Sequence, residues 1–131
     1  MNFELQNIED YTKNLVWMHK ALVQIEKEFS TEDWLFIKPV LPEKAFTEIC
    51  DQLYPKLTNA ISEKGDSYIK HLLYTIDISE SQVARAVALE LDLDFTLLLT
   101  KLIVRRCLQK VLIRNYYKSP EKFALGNSLD E

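Results

Sequence analysis

Apolar positions recur every three or four residues along most of the chain. They are densest between Phe95 and Lys118, in FTLLLTKLIVRRCLQKVLIRNYYK. Leu97, Val104, Leu108 and Val111 fall on one face at helical spacing, with Leu112 beside them. Leu98, Leu102, Ile113 and Tyr116 form a second apolar face, and Leu99, Ile103 and Cys107 largely fill the rest of the first half. A helix that is apolar nearly all round is a buried helix. The stretch is therefore read as a central post against which the other helices pack.

The N-terminal stretch carries the same signal in a sparser form. Ile8, Tyr11, Leu15, Met18, Leu22, Ile25 and Phe29 alternate steps of three and four, which predicts one helix over 7–29 with Asn7 as N-cap. Val16 and Val23 add a second contact line. Residues 30–42, STEDWLFIKPVLP, break the period. A short turn at Ser30 or Thr31 is expected, then an extended linker bounded by Pro39 and Pro42, pinned to the bundle by Trp34 and Phe36. A second helix opens at Pro42 and runs through Phe46, Ile49, Leu53, Leu57 and Ile61, with a kink or two abutting helices at Pro55 and a left-handed cap at Gly65.

A third helix begins at Asp66 or Ser67 and presents Tyr68, Ile69, Leu72, Leu73 and Ile76. A fourth starts at Ser79, where Ser79 and Gln82 form a capping-box pattern and Ile78 and Val83 stand at the staple positions. It continues through Val83, Val87 and Leu91. The stretch LELDLDF, 89–95, reads as the joint to the central helix, with Asp92 or Asp94 as the next cap, although one helix over 79–118 is also allowed. The fold class is all-α: a compact bundle of four to five helices around the long C-terminal helix. Residues 1–120 form one helical domain and 121–131 a frayed tail in which Phe123 and Leu125 could dock back.

Composition agrees. The chain has 131 residues, 47% of them apolar and 27% charged, which is ordinary for a globular domain. Two Gly and four Pro are too few for a hairpin-rich β fold. The two cysteines, Cys50 and Cys107, lie inside apolar helical patterns, so free buried thiols and a reducing compartment are expected. The first residues, MNFELQNIED, lack the cationic start and apolar run of a signal peptide, and four cations interrupt the apolar run at 95–113. The expectation is a cytoplasmic chain that neither crosses nor binds a membrane.

Charge is the one uneven feature. The net charge is −4, yet six cations and no carboxylate lie between Thr100 and Pro120. Arg106, Lys110, Arg114 and Lys118 follow at steps of four, on one slowly drifting helix face. The bland reading is a solvated face that complements the carboxyl end of the helix dipole. Arg105 lies between the two apolar faces, so its stem should be covered and its head paired with an acid from another helix.

Chemistry finds little support. His19 and His71 have no Ser or Cys partner in a local motif, and neither has a Glu three residues earlier, as a di-iron bundle would need. Clustered zinc ligands, a calcium loop and a phosphate-cradling glycine loop are absent from the sequence. No cofactor or metal is expected, and no enzyme. The unit 66–89 has helix-turn-helix lengths, but its second helix offers only Arg85 and Gln82 against Glu80 and Glu90.

The reading is a non-enzymatic helical module for protein interaction or self-association. Its candidate contact residues are Arg106, Lys110, Arg114 and Lys118, together with Trp34 and Phe36 as an aromatic lip. The partner is an unknown protein or a second copy; the heptad stripe from Ile8 to Phe29 permits a homodimer without requiring one. Weak RNA or DNA binding by the basic stripe is the alternative, and a small ligand under Trp34 and Phe36 comes third. The stripe is interleaved with Leu99, Ile103 and Cys107, a mixture closer to an interface than to a phosphate track.

Overall fold

The computed structural model describes residues 8–118. Asn7 as a cap and the tail 121–131 with Phe123 and Leu125 lie outside the described residues. Among the described residues there are six α-helices and no strand: α1 (Ile8–Tyr11), α2 (Leu15–Glu28), α3 (Ala45–Lys64), α4 (Asp66–Ile76), α5 (Glu80–Leu89) and α6 (Phe95–Lys118). The bundle is all-α. α6 packs along α2 and α3 and also touches α1, α4 and α5, as a central post must.

The buried face of α6 comprises Leu98, Leu99, Thr100, Ile103, Val104, Cys107, Leu108, Val111 and Leu112. Each fully buried Leu, Ile or Val contributes about 1.5–3 kcal/mol relative to exposure. Leu97 departs from the expectation for its face: it is only half-buried, in the first turn of the helix. Leu99, Ile103 and Cys107, which the sequence places among the cations, belong to the core instead.

The N-terminal stripe is interrupted rather than continuous. Thr12 Oγ1 donates to the Glu9 carbonyl at 2.7 Å, and Asn14 adopts extended backbone and accepts from the Trp17 N–H at 3.2 Å. Short polar side chains that bond their own backbone compete with the helix. Asn14 thereby ends one turn and caps the next helix, while the spacing of apolar residues survives the break. Met18, Leu22, Ile25 and Phe29 are buried in the common core. The stripe is used within the chain, whereas Val16 and Val23 of the second line stay exposed.

A 3₁₀ turn at Ser30–Glu32 ends on Asp33 in the left-handed region, and residues 34–41 run without helix. A second 3₁₀ turn, Pro42–Lys44, leads into α3. α3 continues through Pro55, with no division into two helices. Pro55 is exposed, so the carbonyl it leaves unpaired one turn earlier lies on the solvent side. Gly65 has φ 80° and ψ −165°, positive as expected but in a region reserved to glycine rather than in the left-handed helical one.

α4 ends on Asp77 at φ 67°, ψ 55°, where Ile78 N–H donates to Leu73 O at 2.9 Å and Asp77 N–H to Tyr74 O at 3.2 Å. This is a Schellman closure with aspartate in the place glycine usually takes. Ser79 then caps α5 in a complete capping box: Gln82 N–H donates to Ser79 Oγ at 3.1 Å, and Ser79 N–H to Gln82 Oε1 at 2.8 Å. α5 contains no buried residue, and Leu89 and Leu91 at its end face water. Residues 90–94 separate α5 from α6, so 79–118 is two helices. Asp94 is the cap: its Oδ2 accepts from Leu97 N–H at 3.1 Å and from the Tyr54 hydroxyl at 2.9 Å.

Candidate functional site

The basic stripe is a set of clamps between helices. Arg106 donates from Nη2 to Asp77 Oδ2 at 2.7 Å, from Nε to the Asp77 carbonyl at 3.1 Å, and from Nη1 to Gln109 Oε1 at 2.7 Å. It therefore braces the left-handed residue that closes α4. Lys110 donates to Glu28 Oε2 at 2.7 Å, and Gln24 Nε2 donates to the same oxygen at 2.8 Å. Arg114 Nη2 reaches Gln24 Oε1 at 3.2 Å. One network thus joins the last turns of α2 to α6. Lys118, at the end of α6, is exposed. Arg105 pairs with Glu9 of α1 at 3.0 Å, an acid from another helix as its position implies, and its guanidinium lies 5.2 Å from the Phe46 ring centroid.

Trp34 and Phe36 turn inward. Trp34 stacks on Phe29 at 4.8 Å, and the Lys56 ammonium stands 5.5 Å from the centroid of the Phe36 ring. Extended backbone alternates its side chains, so the residues between them turn outward. Leu35, Ile37 and Val40 are 85%, 78% and 74% exposed, and Leu41 is exposed as well. These aliphatic groups form a ridge on a segment that is held in place. Gln52 of α3 donates to the Ile37 carbonyl at 2.9 Å and accepts from the Ile37 N–H at 2.7 Å. Its amide thus stands where a neighbouring strand would. From the other side, His19 Nε2 meets the Pro39 carbonyl at 2.8 Å. A carbonyl only accepts, so this ring nitrogen carries the proton.

A separate groove of about 320 Å³ opens between α1, the start of α5 and α6. Ile8, Ile78 and Leu102 supply its apolar lining, and Gln82, Arg105, Arg106 and Gln109 supply most of its polar lining, with Glu9 at the edge. Of the candidate contact residues named from the sequence, this groove holds Arg106 alone. Lys110 and Arg114 lie together in the α2 network, and Trp34 and Phe36 lie together under the ridge. Leu35, Ile37, Gln52 and Gln109 are not site candidates in the sequence, and His19 and Gln82 are weighed there only for catalysis and for DNA reading. Period-two reading of WLFI would have exposed the first two; no local signal marks the rest.

The remaining reactive groups are quiet. Cys50 and Cys107 are free and buried. Burial pushes the Cys50 thiol up to about 12, against the weaker pull of Lys101 and Arg105, and burial also raises that of Cys107. A thiol held that high is not a nucleophile near neutral pH. Among the described residues no cluster of His, Cys, Asp and Glu is disposed to hold a metal ion, and no helix is long and apolar enough to cross a membrane. Comparison of the chain with protein-family models, with curated proteins and with solved structures found no match.

Proposed function

We propose that the chain is a non-enzymatic helical interaction module, and that it meets a protein partner or a second copy of itself through the ridge of Leu35, Ile37, Val40 and Leu41. One observation carries the reading: Leu35, Ile37 and Val40 are 85%, 78% and 74% exposed, with Leu41 at 44%, on a segment fixed by Gln52 and His19. Scattered exposed apolar residues are normal, whereas a contiguous and preorganised group of them marks an interaction surface. In this proposal the contact surface lies on the linker that carries Trp34 and Phe36, rather than on the basic stripe. Two free buried thiols support a reducing, cytoplasmic setting.

The alternative, weak RNA or DNA binding by the stripe, draws less support. Arg106, Lys110 and Arg114 already have acceptors within the chain, so few cations are left for phosphates. Titration of RNA, single-stranded DNA and duplex DNA at low salt tests it directly.

The test of the main reading is site-specific photocrosslinking in the native cell, with the probe placed at residue 35 or 37 and a control probe at exposed Ser62. Adducts from 35 and 37 that the control lacks are expected. Their mass distinguishes a second copy from another protein. Equal or absent labelling at all three positions refutes the ridge as the contact surface.

A further inference from the structure

We propose that the groove between α1, α5 and α6 is a binding site for a small amphiphilic carboxylate. Gln82 Oε1 is taken by the Ser79 N–H, and Gln109 Oε1 by Arg106 Nη1. Both partners can only donate, which fixes the orientation of each amide. The amide NH₂ groups of Gln82 and Gln109 are therefore what remains, and neither has an acceptor among the described residues.

The guanidiniums add to this surplus. Arg106 uses three of its five N–H groups on Asp77 and Gln109. Arg105 has one ion-pair partner among the described residues, the exposed carboxylate of Glu9, and its guanidinium also lies against the Phe46 ring. The groove thus presents two cations and two amide donors around apolar Ile8, Ile78 and Leu102, with Glu9 as the one carboxylate in its lining. An exposed ion pair such as Arg105–Glu9 is weak and is readily exchanged for another anion.

The complement of a donor-rich rim over an apolar floor is an acceptor-only head on an apolar body. Carboxylate meets guanidinium and amide donors with short, charge-assisted bonds. The volume sets the size. About 320 Å³ holds roughly ten waters at ~30 Å³ each, hence a ligand of about a dozen non-hydrogen atoms. That is the lower end of ligand pockets, which run from about 300 to 1,000 Å³. A saccharide or a nucleobase would need several acceptors from the protein, and this lining supplies the Glu9 carboxylate alone as a charged one.

The probes are phenylbutyrate, phenylbutanol and acetate, which separate head from body. Titration is followed by the side-chain amide signals of Gln82 and Gln109 and the methyl signals of Ile8 and Ile78. Phenylbutyrate should saturate with Kd below about 1 mM, the affinity that ordinary efficiency per atom gives a ligand of that size. Phenylbutanol and acetate should each bind at least about tenfold more weakly, since each lacks one half of the complement. The decisive variant is Gln82→Glu with Gln109→Glu. Glutamate keeps the acceptor that serves Ser79 and Arg106, and it replaces the free NH₂ donors with negative charge. The unfolding midpoint should hold while phenylbutyrate binding falls at least about tenfold, because like charge now faces the ligand. Leu102→Trp, which fills the floor without touching the cations, should also abolish binding. Non-saturable binding to the parent protein overturns the proposal, as does affinity that survives both variants or shifts confined to residues outside the groove.

Discussion

Lys110→Met separates a structural role of the stripe from a contact role. Lys110 and Glu28 meet at 2.7 Å, and their side chains are 21% and 9% exposed. Methionine keeps the length and the apolar stem of lysine and removes only the charge. Glu28 would then be left almost buried with one donor, the Gln24 amide at 2.8 Å. A hydrogen bond to a charged group contributes about 1.5–3 kcal/mol, and breaking one side of a buried ion pair costs about 3–5 kcal/mol. Glu28 keeps a donor and Lys110 is not fully buried, so the overlap of the two ranges, about 3 kcal/mol, is the expected loss. At roughly 3–4 °C per kcal/mol the melting temperature should fall by about 10 °C. The assay is urea unfolding followed by circular dichroism, on the single variants and on Lys110→Met with Glu28→Met. Replacing both partners leaves no orphaned charge, so the double variant should recover most of the loss, with a coupling of about 2 kcal/mol. An unchanged midpoint for Lys110→Met, or strictly additive losses, would refute the clamp.

Three further outcomes follow from the geometry. Leu108 is wholly buried on α6, and Leu108→Ala should lower stability by about 2–5 kcal/mol in the same assay; no change would remove the central-post model. Cys50 is held protonated in the native state up to about pH 12, while in the unfolded chain it ionises from its ordinary value of 9.0. The stability it contributes is therefore complete below pH 9 and is lost between pH 9 and about 12, so Cys50→Ala should flatten the fall of unfolding free energy with pH in that window by up to about 1.4 kcal/mol per pH unit, and an equal slope in both proteins contradicts the assignment. Gln52→Ala removes both bonds to Ile37, so the Ile37 amide should exchange with solvent at least about tenfold faster while core amides of α6 keep their rates; unaltered exchange at Ile37 would show that Gln52 does not hold the segment.

Helices were legible where burial and local chemistry point the same way. α6 is apolar on most of its circumference, and its bounds emerge from periodicity. The Ser79–Gln82 box is a contact between residues three apart, so the sequence contains it whole. The break at Asn14 was not legible, because the apolar spacing runs across it unbroken and only the side-chain bonds of Thr12 and Asn14 reveal it. The left-handed conformation of Asp77 was not legible for a similar reason. Glycine is the usual signal, and aspartate reaches the left-handed region here with Arg106 holding both its carbonyl and its carboxylate.

The candidate site was less legible, and the reason is sequence separation. Lys110 finds Glu28 across 82 residues, Arg114 finds Gln24 across 90, and Arg106 finds Asp77 across 29. A run of cations with no acid beside it looks available until the chain folds and brings the acids from elsewhere. The converse holds for WLFI. Four consecutive apolar residues look like core, yet an extended backbone can bury only alternate ones, and Leu35 and Ile37 are left in water. Had the segment been a loose loop, those two side chains could have folded back onto the bundle. Gln52 and His19 prevent that by fixing the backbone at Ile37 and Pro39. Cations that look free are bound, and aliphatic groups that look bound are free. On the proposed function, the apolar ridge rather than the charged stripe is the surface offered to a partner.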